Sequence, residues 1–285
     1  MGDRPLRQYY DGVEVAVADD FGPVAEPWLR HRRRLTGELT GLTEAQWKAP
    51  TRCASWDARG VVGHLVTVDS FFTLVLSAAH AGDPPTSFIR GFDPSTGTDD
   101  LVAPLLDLPI DALLDQFVTG TDTLVATVES LEGDDWQALG EAPFGHMPAR
   151  LVLAHAFWDS WLHERDILEP LGVDTEVEDD ELLVSTWYTF VVAGLQGGLI
   201  DDLEPVGPGA EAPIDVSLQF ADLSAPIRVE IDTGTRISRS AGANALDAGS
   251  AVALVEGMAG RASMDALGVL PDDLADQLRR AARIL

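Results

Sequence analysis

The chain has 285 residues, of which 46% are apolar, and a formal net charge of −28. A chain of this length forms one large domain or two ordinary ones. Nucleic acids and anionic membranes bind basic surfaces, so the acidic balance argues against both as main partners. Cys53 is the only cysteine, which excludes an intrachain disulfide, and the N-terminus lacks the apolar core of a signal peptide. We therefore expect a cytoplasmic protein with neither a nucleic-acid nor a membrane partner.

Helical patterns dominate residues 22–204. Residues 1–21 are polar and acidic without a clear period, which is typical of an extension. The apolar spacing, with flanking caps and prolines, predicts four long helices at residues 24–42, 56–81, 110–131 and 151–168. The Gly-, Pro- and Asp-rich residues 82–108 form a predicted surface loop between the second and third helices. Four long helices with one long crossover indicate a four-helix bundle, a fold that builds metal sites from inward-facing side chains.

The last third of the chain has a different pattern. A predicted helix at residues 181–200 is followed by a linker rich in Pro and Gly. Short strands are predicted by alternation at 214–220, 227–232 and 236–239, and helices at 248–258 and 271–285. The expected fold class is therefore mainly α with a small α+β domain. We divide the chain into an extension (residues 1–21), a helical bundle (22–204) and an α+β domain (205–285).

The predicted helix at 151–168 carries the strongest functional signal. Within it, His155, Asp159 and His163 follow one another at intervals of four residues, which places them on one face. The flanking Leu, Ala, Phe and Trp residues indicate that this face is at least partly buried. Buried imidazoles and carboxylates need polar partners, and a metal ion is one such partner. Hydrogen bonds within the core are the alternative.

A single ion cannot bind all three side chains, since His155 and His163 lie roughly 12 Å apart along the helix axis. The ion would take either His155 with Asp159 or Asp159 with His163. His64, on the predicted second helix, offers a third ligand from another part of the bundle. Two imidazoles and one carboxylate are a common set for a catalytic zinc-type site that keeps one position open. Asp166 follows His163 by three residues and is a candidate partner for its second ring nitrogen.

Other polar and aromatic residues have structural interpretations. We interpret Cys53 as a small apolar residue of a loop. The residues expected to be solvated are the arginine-rich stretch 30–34 and three histidines, His31, His80 and His146. The residues expected to anchor packing are Trp56, Trp158 and Trp161.

Two segments of the chain resemble the mycothiol-dependent maleylpyruvate isomerase family. They are WKAPTRCASWDARGVVGHL, at residues 47–65, and DSWLHERDI, at residues 159–167. The second matches a Glu-x-x-x-His-x-x-Asp signature, with Asp159 in the place of Glu. The sequence MAGRA at residues 258–262 is similar to part of the family's smaller C-terminal domain. The resemblance covers residues 22–285 and implies a DinB-like metal-binding four-helix bundle followed by a sterol-carrier-like α+β domain.

The resemblance also implies a site and its cofactors. It implies one divalent metal, zinc above all, held by His64, Asp159 and His163 rather than by His155. It further implies mycothiol as the thiol cosubstrate, and an actinobacterial source. Because Asp159 is one methylene shorter than Glu, the ion would lie closer to the fourth helix or bind one oxygen only. The candidate residues for binding the cosubstrate are Trp158 and Arg261.

Arg261 is also a candidate catalytic residue. We expect it to face a cleft between the two domains and to bind an anionic group of a cosubstrate, because a guanidinium can hold a carboxylate at two points.

Several functions are compatible with this chemistry. Coordination to a divalent cation deprotonates a thiol, and the thiolate is the nucleophile. The first hypothesis is a metal-dependent enzyme that activates mycothiol as a metal-bound thiolate for S-transfer to a small electrophile. The second is a mycothiol-dependent maleylpyruvate isomerase, in which the thiol adds to the substrate and then leaves. A non-catalytic small-molecule-binding module and a metal-dependent hydrolase are also compatible with these residues.

The charge near the predicted site leads us to place S-transfer before isomerisation. A dicarboxylate substrate needs cationic groups near the ion. The two metal-bearing helices offer only Arg59 and Arg165 for this purpose. The loop at 82–108, with its phenylalanines and prolines, is a candidate wall for a larger and less charged electrophile. The expected oligomer is a monomer or a homodimer.

Overall fold

The computed structural model describes residues 15–82, 97–142, 145–194, 213–232, 234–239, 245–264 and 270–282. These residues fall into two compact units. The first unit contains residues 24–142 and 146–176, and the second contains residues 15–23, residue 145 and residues 177–282, in each case as far as they are described.

Most of the helices precede the central strands β4, β5 and β6 along the described chain. In chain order they are β1 (Val15–Val17), α1 (Ala25–Gly41), α2 (Glu44–Trp47), α3 (Ala58–His80), α4 (Gly97–Leu106), α5 (Ile110–Ser130), β2 (Leu139–Ala142), β3 (Gly145–Pro148), α6 (Ala149–Leu168), α7 (Asp179–Gly194), β4 (Ile214–Gln219), β5 (Ile227–Ile231), β6 (Thr235–Arg239), β7 (Leu246–Asp247), α8 (Ala251–Met258) and α9 (Asp272–Ala281).

Four long helices build the first unit. α3 packs against α5 and α6, and α1 packs against the same two helices. Asp57 starts α3 by accepting a hydrogen bond from the backbone N–H of Gly60 at 3.0 Å, which satisfies one of the free donors of the first turn. One part of the core is an apolar cluster of Leu35, Leu39, Trp47, Ala58, Val61, Val62, Leu65, Val66, Leu113, Phe117, Ile167 and Leu168. This packing fixes the faces of α3 and α6 that carry the candidate ligands.

α3 is also long and apolar enough to cross a membrane by length and composition alone. Core helices have the same property, and half of the most apolar window of α3 is buried within the protein.

The second unit is built on a five-stranded sheet in the order β1-β6-β5-β4-β7. β4, β5 and β6 are antiparallel neighbours, and β1 and β7 pair parallel to β6 and β4. Burial alternates along β4, β5 and the first residues of β6, as expected for strands with one face against a core. α7 packs against β5 and β6, and also against α8 and α9.

The expected combination of a mainly helical chain with a small sheet is confirmed. The four long helices and three central strands lie within a few residues of their predicted ends. Two elements differ from the sequence-based interpretation: α4 lies inside the predicted loop 82–108, and β1 lies inside the predicted extension, where it pairs with β6. α7, placed in the helical bundle by sequence, lies in the second unit. The predicted boundary at residue 204 lies outside the described residues.

Candidate metal centre

Three side chains of the first unit converge between α3 and α6. His64 comes from α3, and Asp159 and His163 come from α6. Each offers one ligand atom, and these atoms lie within 4.8 Å of one another. Oδ1 of Asp159 lies 3.4 Å from Nε2 of His64 and 3.5 Å from Nε2 of His163. One carboxylate oxygen thus faces two imidazoles from different helices.

Asp159 and His163 stabilise each other's charged forms. Burial opposes ionisation of Asp159, but His163 and His64 outweigh it and hold the pKa of the carboxyl well below its ordinary value. Burial also lowers the pKa of His163, but Asp159, Asp166 and Cys53 outweigh it and hold that pKa well above the ordinary value. A buried carboxylate that stays ionised is a suitable ligand for a cation.

The donor set fits a divalent ion. Oδ2 of Asp159 is buried and has no hydrogen-bond partner among the residues that the structure describes. Polar atoms left in this state are costly, and a bound ion removes that cost for a ligand atom. In a tetrahedral zinc site with bonds of about 2.0 Å, nitrogen and oxygen ligands are about 3.3 Å apart. The two distances from Oδ1 of Asp159 are close to this value.

His155, one turn earlier on α6, is not part of this group. The metal-compatible groups found among the described residues contain His163, and neither contains His155. Burial lowers the pKa of His155 to about 4, so its imidazole is neutral at pH 7. Its ring centroid lies 5.7 Å from that of Phe72 and 6.3 Å from that of Trp158. Trp158 is itself only 5% exposed, so its proposed contact with a cosubstrate stays a prediction.

A second set of contacts lies at Nδ1 of His163, the ring nitrogen that does not face Asp159. Its Nδ1 lies 3.0 Å from Oδ2 of Asp166, the partner expected from sequence. Arg52 donates from Nε to Oδ1 of Asp166 at 3.1 Å, and its backbone N–H donates to the Asp166 carbonyl at the same distance. Arg52 also bonds to Glu169. A carboxylate that orients the distal nitrogen of a ligand histidine is a common feature of metal sites.

Cys53 joins this second set, which the interpretation as an apolar loop residue did not foresee. Its thiol donates to Oδ2 of Asp166 at 3.1 Å and lies 3.8 Å from Nδ1 of His163. Its backbone N–H donates to Oγ1 of Thr51 at 3.1 Å, a contact within the same loop. The pairing of residues 52 and 53 with residues 163 and 166 joins distant parts of the sequence, and no local spacing signals it.

Trp56 supports the other imidazole. Its ring stacks on His64 with centroids 5.5 Å apart and an interplanar angle of 30°. Its Nε1 donates to Asp99 of α4 at 3.0 Å. The residue expected to be a packing anchor therefore also fixes the orientation of His64.

The expectation of a solvated arginine-rich stretch is wrong for its centre. Arg32 and His31 are 1% and 0% exposed. Trp28, Leu35 and Leu39 of α1 share a helix face at intervals of seven and four residues, and that spacing places residues 31 and 32 on the buried side. His146 is also buried, at 4% exposure, whereas the exposed His80 pairs with Asp135 at 2.8 Å. The prediction for His146 was therefore wrong and that for His80 is confirmed.

Arg261 lies in the second unit, just after α8. Its guanidinium donates to the carbonyl of Ala259, and its backbone N–H donates to the carbonyl of Glu256 at 2.8 Å. Its predicted place in a cleft concerns both units and stays a prediction.

The comparisons with known proteins agree with the sequence resemblance. Residues 28–168 match the model of the mycothiol maleylpyruvate isomerase N-terminal domain. A comparison with curated proteins finds no match. Two solved structures are similar: the mycothiol-dependent maleylpyruvate isomerase and a histidine-to-alanine variant of it. Each is 15% identical to this chain, with a TM-score of 0.56, and the alignment covers 93% of this chain and 98% of that one.

At this low identity, the solved structures show the fold, and the family model adds the relationship in sequence. The match contains all three converging side chains, His64, Asp159 and His163. The resemblance seen in the two sequence motifs is thus confirmed. Residues 28–168 therefore belong to the mycothiol maleylpyruvate isomerase N-terminal domain family.

Proposed function

We propose that the protein is a metal-dependent enzyme that uses mycothiol, with His64, Asp159 and His163 as the metal ligands. The observation that supports this most directly is the convergence of two imidazoles on one ionised carboxylate oxygen. When bound there, a divalent ion such as zinc lowers the pKa of a coordinated thiol, so that the thiolate forms at neutral pH. The first unit would then be the DinB-like bundle, and the second the sterol-carrier-like domain, of a cytoplasmic monomer or homodimer.

The chain's own residues prepare this site. Asp159 supplies the negative charge, and Trp56 and Asp166 hold the rings of His64 and His163 in place. His155 adds a neutral imidazole one turn from Asp159. The aromatic rings of Phe72 and Trp158 lie next to this imidazole.

Isomerisation is the first candidate reaction. The family is named for mycothiol maleylpyruvate isomerase, and the solved structures that share the fold carry the same activity in their names. In this reaction a thiolate adds to an activated double bond, the carbon–carbon bond rotates, and the same thiolate leaves. No thiol is consumed. This ranking reverses the order that the sequence alone suggested.

S-transfer remains the second candidate, because the two arginines that the sequence analysis singled out, Arg59 and Arg165, are already engaged. Arg59 donates to the carbonyls of Leu106 and Leu108. Arg165 pairs with Glu169 at 2.6 Å and donates to Thr175 at 2.7 Å. Neither guanidinium is available to a dicarboxylate in this arrangement. A less charged electrophile would need no such cation.

One assay separates the two reactions. The purified protein, loaded with zinc, is incubated with mycothiol and a panel of electrophiles that includes maleylpyruvate, and the products are identified by mass spectrometry. Turnover of maleylpyruvate without net loss of thiol supports isomerisation. A stable thiol adduct that forms only with metal present supports S-transfer. Thiol-independent turnover, or none with any member of the panel, contradicts the proposed use of mycothiol.

The metal itself is tested without activity. We expect one divalent ion per chain in protein dialysed without chelator, and its loss in His64→Ala and His163→Ala. His80→Ala is the matched control, because His80 ends α3, the helix that carries His64, and pairs with Asp135 on the surface. Circular dichroism confirms that each variant is folded. Metal retained by both His64→Ala and His163→Ala would exclude the proposed ligands.

A further inference from the structure

The imidazole of His163 faces two groups of potential ligands, one on each ring nitrogen. Nε2 faces Asp159 and His64, the proposed metal ligands. Nδ1 faces Asp166 and Cys53, and these three residues also form a group that could hold a metal ion. Two such groups that share one imidazole cannot behave independently, because a neutral imidazole has only one unprotonated nitrogen to donate.

The distances in the second group suit a soft cation. Sγ of Cys53 lies 3.1 Å from Oδ2 of Asp166 and 3.8 Å from Nδ1 of His163, which is 3.0 Å from Oδ2. A tetrahedral zinc site places sulfur about 3.5 Å from its nitrogen and oxygen neighbours, and those about 3.3 Å from each other. Each observed distance is within about half an ångström of this geometry, which is within the reach of small side-chain rotations.

The chemistry of the group agrees with the distances. Oδ2 of Asp166 is approached by two donors, the Cys53 thiol and the His163 ring, while Arg52 takes the other oxygen. An ion could replace both protons at this oxygen. Thiolate, carboxylate and imidazole together are ligands for zinc and its heavier relative cadmium. The first group contains no sulfur, so the second group is the one that a thiophilic ion prefers.

We propose that Cys53, Asp166 and Nδ1 of His163 form a second site, for a thiophilic divalent cation, which competes with the first site for His163. On binding, the Cys53 thiol and Nδ1 of His163 each release a proton to solvent, and the ring keeps only the proton on Nε2. Because Nε2 then carries a proton, it cannot bind an ion together with Asp159 and His64. The second site stands on its own geometry, and only the competition rests on the proposed function. Excess soft metal therefore empties the first site.

The single cysteine makes the test specific. A thiolate bound to cadmium gives an ultraviolet charge-transfer band, and in a thiol-free buffer only Cys53 can supply that thiolate. Cadmium is titrated into His64→Ala, in which the first site is disabled. We expect the band to appear and to saturate at one ion per chain. In the double variant His64→Ala/Cys53→Ser we expect it to be lost. Absence of the band in folded His64→Ala, or its persistence in the double variant, would overturn the proposal.

Two further measurements use the wild-type chain and Cys53→Ser alone. Cadmium should slow alkylation of Cys53 in the wild type, and an unchanged alkylation rate at saturating cadmium would contradict the site. Cys53→Ser should still bind one zinc ion, because all three ligands of the first site are present. If Cys53→Ser binds none while the cadmium band appears in His64→Ala, the proposed function fails and the second site stands. The two proposals are thereby tested separately.

Discussion

The length of the Asp159 side chain determines which of its carboxylate oxygens can bind the ion. One of its oxygens already faces both imidazoles, and the other is buried without a hydrogen-bond partner in the described part of the chain. We expect Asp159→Asn to lose the metal, because an amide has no negative charge to hold a cation. Asp159→Glu should retain it, since the family signature has Glu at this position. Metal content after dialysis is the measurement.

An exposed carboxylate of α5 supplies the control for this pair of variants. Asp115→Asn removes the same charge from the surface and should leave the metal content unchanged. A metal content that falls more in Asp159→Glu than in Asp159→Asn would show that the site depends on the short side chain rather than on its charge.

Asp166 should tune metal affinity without touching the ion of the first site. It accepts from Nδ1 of His163, which fixes the tautomer that exposes Nε2. We expect Asp166→Asn to weaken zinc binding about 10–100-fold, the usual effect of losing such a partner. Competition with a chromophoric chelator measures the affinity. Glu169→Gln is a matched control, because Glu169 also binds Arg52 but, within the described part of the chain, forms no hydrogen bond with His163. Equal losses in both variants would mean that Arg52, not the tautomer, matters.

At the level of helices, a buried polar network joins all four long helices of the first unit. Arg32 of α1 pairs with Asp69 of α3 and donates to Ser160 of α6 at 3.1 Å. Thr121 of α5 donates to Asp69 at 3.0 Å. Burial lowers the pKa of Arg32 to about 10, with Asp159 opposing the shift, so the guanidinium is still charged at pH 7. Because its members come from four helices, the network constrains how these helices pack against one another.

Breaking this network should be costly. We expect Asp69→Ala to lower the free energy of unfolding by about 3–5 kcal/mol, because Arg32 would be left buried and unpaired. The double variant Arg32→Met/Asp69→Leu should recover most of this loss, since apolar groups need no partner. Denaturant unfolding measures both. Asp276→Ala is the control: its exposed pair with Arg279 is worth about 0–1 kcal/mol. A double variant no more stable than Asp69→Ala would contradict this explanation.

Gly60, in the first turn of α3, lies close to the side chain of Trp56. A Cβ on Gly60 would lie 2.6 Å from Cβ and 2.8 Å from Cγ of Trp56, the residue that stacks on His64. We expect Gly60→Ala to displace Trp56, and so to lower both stability and zinc affinity. Chemical unfolding and chelator competition measure the two effects.

Gly37→Ala provides the comparison, because Gly37 lies within α1, where a methyl group added to it would meet no described atom within 4 Å. Alanine loses less conformational freedom than glycine when the helix forms, so Gly37→Ala should gain about 0.5–1 kcal/mol of stability. If both alanine variants gained stability alike, the contact with Trp56 would not restrict position 60.

Across the whole molecule, periodicity was sufficient to place the long helices and the central strands, because their apolar residues recur at local intervals. It also brought Asp159 and His163 onto one face and suggested His64 from another helix. It failed where the partner is remote in sequence. β1 exists through its pairing with β6, and Cys53 and Arg52 meet Asp166 only after the bundle folds. The buried Arg32 was missed because a run of arginines suggested solvent more strongly than its apolar neighbours suggested a core.

The net charge of −28 sets the last expectation. With 47 acidic and 19 basic residues, like charges repel across the folded surface and less so in the expanded chain. Salt screens exposed charges over about 10 Å at 0.1 M, while buried pairs such as Arg32 with Asp69 are screened much less. We therefore expect sodium chloride to raise the thermal midpoint at pH 7. Sucrose at equal osmolality is the control for general solvent effects. A midpoint that falls with salt would mean that exposed ion pairs, not repulsion, dominate the surface.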